Sequence, residues 1–227
     1  MTKQRAIILL SGGIDSTLLL AIATEREREC LCISFDYQQR HIKELESAKA
    51  IANYYKAVHK VIRIDSSSFA RTSLLATSSE VVPKGEALSP EEIPSTYVPA
   101  RNTLFLAYAI QQAELFDAHE IFFGPNKDDY NTYPDCRPDF VLRFQHVIDY
   151  ATKQATTGTS PCLLTPLIEW DKATIIQKGV EYNLPFDLTS SCYDPPLDGS
   201  HCGECLACSL RKAAFVLANI PDPTRYK

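Results

Sequence analysis

The sequence lacks several features that would have narrowed its function at once. No apolar run in its 227 residues approaches the roughly 20 that a membrane-spanning helix needs. The N-terminal stretch AIILL is also shorter than the apolar region of a signal peptide, about 7 to 15 residues. A membrane protein and a secreted one are therefore both disfavoured, and a soluble, cytoplasmic chain is expected. Basic excess is missing too. With 23 Lys and Arg against 28 Asp and Glu the formal charge is −5, which gives no general attraction to a phosphate backbone and no reason to expect a nucleic-acid partner. There is no internal repeat, and no G-x-x-x-x-G-K-S/T motif of the ordinary nucleoside triphosphatases.

What is present alternates. Ala6 to Leu10, Leu31 to Tyr37, Lys60 to Asp65, Glu120 to Pro125 and Cys162 to Leu167 are apolar runs of strand length. Helical patterns fall at 16–24, 42–55, 102–117, 138–157 and 171–182, and a Ser/Thr/Pro-rich stretch runs from about Ser66 to Pro99. Continuous apolar strands alternating with helices of this length predict an α/β fold with a parallel, Rossmann-like sheet covered on both faces. Ligands in such sheets bind beyond the carboxyl ends of the strands, and the polar outliers gather in those turns: SGGIDS, DYQQRH, GPNKDDYNTYPDCRP and TPLIEWDK.

The first turn lies in LLSGGIDSTLLL, residues 9–20. Gly12 and Gly13 allow backbone angles and close approach that side chains prevent, and the unpaired N–H groups opening the next helix favour an anion. Ser11, Ser16 and Thr17 add hydroxyls suited to phosphate oxygens. Asp15 is a poor neighbour for phosphate alone, so it either caps the helix or meets a Mg²⁺ carried by the nucleotide. The pattern S-G-G-x-D-S resembles the PP-loop of the ATP pyrophosphatases, which split ATP to AMP and pyrophosphate while adenylating a substrate. The resemblance assigns Leu10, Ser11, Gly12, Gly13, Ile14, Asp15, Ser16, Thr17, Leu18, Leu19 and Leu20 to the ATP loop.

Cys192, Cys202, Cys205 and Cys208 are spaced C-x9-C-x2-C-x2-C near the end of the chain. Two-residue gaps let neighbouring thiolates meet one ion, and four soft sulfurs match a closed structural Zn²⁺ site. Iron–sulfur ligation is the rival. Zinc is expected because no redox motif accompanies the thiols. Cys30, Cys32 and Cys162 fall in or beside apolar strands and are expected to be small buried hydrophobes. Cys136 is expected to line a substrate site, not to act as a nucleophile. His59, His119, His146 and His201 lack partner spacing and are expected to be structural.

Taken with DYQQRH and Glu44, TYVPARNT, YPDCRP, TPL before a lysine helix, and TSSCY leading into CGECLACSLRKAAF, the chain resembles the 7-cyano-7-deazaguanine synthases of queuosine biosynthesis. It departs from them at Gln38, where family members commonly carry glycine. The resemblance implies conversion of 7-carboxy-7-deazaguanine and ammonia to the nitrile at the expense of two ATP with Mg²⁺. It also implies a homodimer, with a PP-loop domain over 1–188 and a zinc-binding segment and C-terminal helix over 189–227. Asp15, Ser16, Arg101 and Lys172 become candidate catalytic residues. Arg40, His41, Arg101, Asn102, Asn126, Asp129, Tyr133, Asp135 and Arg137 become candidate substrate contacts, Asp135 as reader of the base edge. A PP-loop enzyme adenylating a tRNA base or another carboxylate, and a zinc-module nucleic-acid regulator, are the alternatives.

Overall fold

A computed structural model describes residues 3–39, 43–65, 74–75, 97–130 and 133–227. Five strands form one parallel sheet in the order β3-β2-β1-β4-β5: β1 Arg5–Leu9, β2 Glu29–Asp36, β3 Val58–Arg63, β4 Glu120–Phe122 and β5 Cys162–Leu164. Among the described residues, no helix is long and apolar enough to cross a membrane.

Alternation along each strand divides the core. Ala6 and Ile8 of β1 and Cys30 and Cys32 of β2 face one layer, with α1 (Ile14–Glu25), α2 (Lys43–Tyr54), α6 (Lys172–Glu181) and α7 (Leu206–Ala218) supplying its partners Leu18, Ile51, Ile175 and Phe215. Ile7, Leu31, Ile33 and Phe35 face the other, under α3 (Arg101–Phe116) and α5 (Pro138–Ala151), where Leu106, Ala109, Phe144 and Ile148 are buried. The C-terminal helix thus shares a core with the first helix of the sheet.

The chain leaves β1 for β2 on one side, and after β3 it crosses to the other side as β4. The topological switch point therefore falls between β1 and β4, whose carboxyl ends carry the glycine turn and the Pro125–Asn126 turn that leads into the short α4 (Lys127–Tyr130). The expected helix over 138–157 breaks at Thr152, whose backbone is extended (φ −107°, ψ 151°). Its hydroxyl accepts from the Ala155 N–H, capping the short 3₁₀ turn at Gln154–Thr157. Cys162 is also corrected: this thiol at the start of β5 is exposed, whereas Cys30 and Cys32 are buried as expected.

Candidate active site at the switch point

The two glycines of the first turn do different work. Gly12 has φ +91°, and a Cβ there would stand 2.4 Å from the Glu44 carbonyl oxygen and 2.9 Å from the Ala48 nitrogen of α2. Only glycine lets α2 pack on the turn. Gly13 has ordinary angles, and a Cβ would meet Ser11 Oγ at 3.5 Å and the Ser190 carbonyl oxygen at 3.7 Å. Its missing side chain leaves room in the cavity instead.

Gly13 is the N-cap of α1 without a side-chain cap, so the leading N–H groups of that helix lack a capping partner. Ser16 Oγ donates to the Gly13 carbonyl at 3.0 Å and lies 3.1 Å from Ser11 Oγ. Thr17 is fully buried and its hydroxyl donates to the same carbonyl at 2.7 Å. That hydroxyl is committed to the helix and not turned to a ligand. Leu18, Leu19 and Leu20 are wholly in the core. Leu10, Ser11, Gly13, Ile14, Asp15 and Ser16 line the cavity.

Asp15 does not cap its helix. Its Oδ2 pairs with Lys172 Nζ at the start of α6 and accepts from Asn126 Nδ2 at 3.1 Å, across the switch point. Its Oδ1 is buried and has no hydrogen-bond partner among the described residues. Asn126, fully buried, also donates to Asp129 Oδ2 at 2.6 Å and accepts from the N–H groups of Asp128 and Asp129 through Oδ1. It is the bracket that holds the two carboxylates, not an open ligand contact. Burial pushes the Asp129 carboxyl up to about 6, with Lys172 opposing and Asp15 reinforcing the shift. For Lys172, burial works against the charge, but Asp15 and Asp129 outweigh it and leave the ammonium above its usual range.

The cavity, about 400 Å³, extends from this corner past Tyr37, Arg101, Phe105 and Tyr133 to Ser190, Ser191 and Tyr193. Arg101 opens α3 behind Ala100, which holds a left-handed backbone (φ 54°). Among the described residues, the side chain that Arg101 meets at hydrogen-bonding range is the Tyr37 hydroxyl, at 3.5 Å, and its guanidinium stands 6.0 Å from the Phe105 ring centre. Tyr133 lies beside Tyr97, ring centres 6.4 Å apart. Burial raises the Cys136 thiol, which accepts from Asn102 Nδ2 at 3.3 Å, so it is kept protonated while lining the cavity.

Two sequence candidates, Asp135 and Asn102, are tied to each other, and Asn102 also borders the cavity. The Asp135 carboxylate, buried, accepts from the Asn102 N–H at 3.0 Å and so caps α3 from a distant loop. Asn102 in turn reaches back to the Asp135 carbonyl oxygen at 3.4 Å. Arg137 is exposed at the N-cap of α5, outside the cavity. Arg40 and His41 lie outside the described residues. Tyr37, Ser190, Ser191, Tyr193 and Arg211 line the cavity without having been singled out. The serines and Tyr193 sit in the very TSSCY stretch in which cysteine alone drew notice.

At the far end, Cys192, Cys202, Cys205 and Cys208 bring one sulfur each to within 4.8 Å of one another. Cys202 and Cys208 Sγ are 3.9 Å apart. Four sulfurs bound at about 2.3 Å around one tetrahedral ion stand about 3.8 Å apart. The set therefore fits a single metal ion, whereas a cluster spreads its thiolates over several irons.

The family model for "Queuosine biosynthesis protein QueC" matches residues 5–219. The chain belongs to this family. Relatives named 7-cyano-7-deazaguanine synthase include that of Desulfatibacillum aliphaticivorans, 46% identical over 230 residues covering 99% of this chain and 97% of the relative. That of Saccharophagus degradans is 44% identical over 227 residues, covering 100% and 99%. Membership makes the chain an enzyme of the 7-cyano-7-deazaguanine synthase type, consistent with a small-molecule substrate. Among solved structures, the U34-tRNA thiolase NcsA from Methanococcus maripaludis, recorded with its 4Fe–4S cluster, aligns with a TM-score of 0.52 at 12% identity. It covers 96% of this chain, which spans 66% of that protein's length, and the likeness is one of fold.

Proposed function

We propose that the cavity at the switch point converts 7-carboxy-7-deazaguanine and ammonia to 7-cyano-7-deazaguanine with two ATP. The observation that carries this reading is the meeting, in one cavity, of the uncapped helix start behind Gly13 and the Arg101 guanidinium, which has no carboxylate pair among the described residues. The first suits a triphosphate and the second an acid to be activated.

A carboxylate has no good leaving group. Its oxygen attacks the α-phosphorus of ATP, forming an acyl-adenylate and releasing pyrophosphate. Ammonia then displaces AMP to give the amide. Attack of the amide oxygen on the α-phosphorus of a second ATP releases a second pyrophosphate, and loss of AMP together with the two amide protons leaves the nitrile. Each step places charge on phosphoryl oxygens, so positioning and neutralisation dominate and no covalent nucleophile is required. Ser11, Gly13 and Ser16 hold the phosphates, Lys172 turns from Asp15 to the developing charge, and Arg101 orients the substrate carboxylate. Tyr133 lies against the deazaguanine ring. Asp15, whose Oδ1 has no partner among the described residues, would hold a Mg²⁺ carried by ATP, which would supply charge neutralisation at the phosphates. Zn²⁺ in the four-thiol set is structural, since four ligands leave no open position. It defines a segment over 189–227 appended to the 1–188 nucleotide domain, and the functional unit is a cytoplasmic homodimer.

Purified protein incubated with the deazaguanine acid, ammonium and MgATP should yield amide, nitrile and AMP by mass spectrometry. Asp15→Ala should stop AMP formation while the metal content stays at the wild-type level. Absence of AMP with the wild-type protein refutes the reading, and loss of metal in the variant makes Asp15 a folding residue.

A further inference from the structure

Arg211 lies one helical turn beyond Cys208 on α7, with its side chain 1% exposed and its guanidinium 5.1 Å from the Phe215 ring centre. A buried guanidinium needs partners for its five donors, and these come from two separate segments, residues 186–191 and the C-terminal tail. Nε meets Asp222 at 3.2 and 3.3 Å, in the tail that His201, beside Cys202, pairs through main-chain bonds to Arg225 and Lys227. Nη1 donates to Thr189 Oγ1 at 2.9 Å and to Ser191 Oγ at 3.3 Å, and Nη2 donates to the Phe186 carbonyl at 3.3 Å.

Between Thr189 and Ser191 sits Ser190, whose N–H donates to the Gly12 carbonyl at 2.9 Å and whose carbonyl faces Gly13. The connection is short and continuous. Four thiols fix the start of α7, Arg211 projects from that helix to clamp residues 186–191, and the clamped segment abuts the glycine corner. We infer that Arg211 is a positioning residue that ties the thiol knot to the glycine corner, setting the rigidity of the turn that receives the nucleotide. The last clause rests on the ATP reading above, while the mechanical tie does not.

Arg211→Ala leaves the half-buried Asp222 carboxylate with the Tyr226 hydroxyl and the Thr224 N–H but no cation, and empties a buried site, which risks unfolding, so gentler changes carry the test. Thr189→Val combined with Ser191→Ala removes two acceptors while Arg211 keeps Asp222, and Arg211→Lys keeps the charge while losing the fork. Hydrogen exchange is measured on ATP-free, metal-loaded protein. Loss of two bonds from a charged donor should speed exchange of amides in residues 11–17 by about tenfold. Exchange in β2 and the metal content should stay at wild-type levels. Unchanged exchange at the corner overturns the tie. Acceleration spread equally over β1, β2 and α1 also overturns it, because Arg211 then merely supports the fold.

MgATP titration by calorimetry forms the second arm. The double variant should bind about tenfold more weakly, as a looser corner must be ordered on binding. Wild-type-like affinity in a variant with a loosened corner removes the nucleotide consequence. Failure of wild-type protein to bind MgATP sinks the functional reading, and the exchange arm still decides the tie.

Discussion

The glycine corner and the thiol knot are both built from small side chains at short spacing, yet one is left open and the other closed. At the knot, four sulfurs face one another within 4.8 Å and would be complete with a single ion. At the corner, Asp15 keeps a buried oxygen without a partner among the described residues, α1 starts without a side-chain cap, and Arg101 stands over the cavity beside Tyr37. Unused polar capacity at the corner supports the proposal that it receives a ligand, whereas the mutual approach of the four sulfurs supports a structural part for the knot.

The strongest way to test that contrast is at the knot. Cys208→Ser should lower metal stoichiometry and cost more than about 3 kcal/mol, since binding free energy at a closed metal site is folding free energy. Metal analysis and urea unfolding check it, and a variant that keeps both metal and midpoint breaks the comparison. Next come the two glycines. Gly12→Ala should cost about 3 kcal/mol, from the left-handed angle and the overlap with α2. Gly13→Ala should stay within about 1 kcal/mol of wild type and lose MgATP affinity. Equal melting shifts for the two variants would mean that the corner has no open side.

Asp129 sharpens the contrast by pH. Its carboxyl, about 6 when folded, lies above the ordinary value near 3.9, so ionising it costs stability. The cost is absent below about pH 4, grows through the interval, and is complete above about pH 6. Asp129→Asn should therefore gain on wild type across that window, by about 1 to 3 kcal/mol. Urea midpoints at pH 4, 5, 6 and 7 test it, and a gap that stays constant contradicts the burial argument. The smallest effect is expected at Gln38, which holds φ +59° in an exposed turn. Gln38→Gly relieves that angle while adding freedom to the unfolded chain, leaving a net gain of about 0.5 kcal/mol. A drop in thermal midpoint would show the glutamine side chain to be an active support.

The sheet is legible because β1, β2, β4 and β5 lie in continuous apolar runs, whereas β3, VHKVIR, is an exposed edge strand and not covered on both faces as expected; the glycine turn and the thiols stand out because each motif is compact in sequence. Asp135 and Arg211 show where that stops. Beside two prolines, Asp135 looked like a base reader, but its carboxylate is consumed at the start of a helix more than thirty residues earlier in the chain. Arg211 and Lys212 are adjacent basic residues in the sequence, yet one is buried among four partners and the other is exposed. Long-range hydrogen bonding decides both cases, and no local spacing encodes it. Thr152 belongs with them: nothing breaks the helical pattern before Gly158, and the break comes from a hydroxyl capping the following turn.

Cys162 offers a practical handle. It is an exposed thiol in a set whose other described members are buried or gathered in the knot, and it sits at the amino end of β5, away from the chemistry. Partial burial raises its pKa, so alkylating reagents should reach it slowly at neutral pH and faster in mild alkali. A dye attached there could report on motion of the enzyme without standing in the path of its reactants.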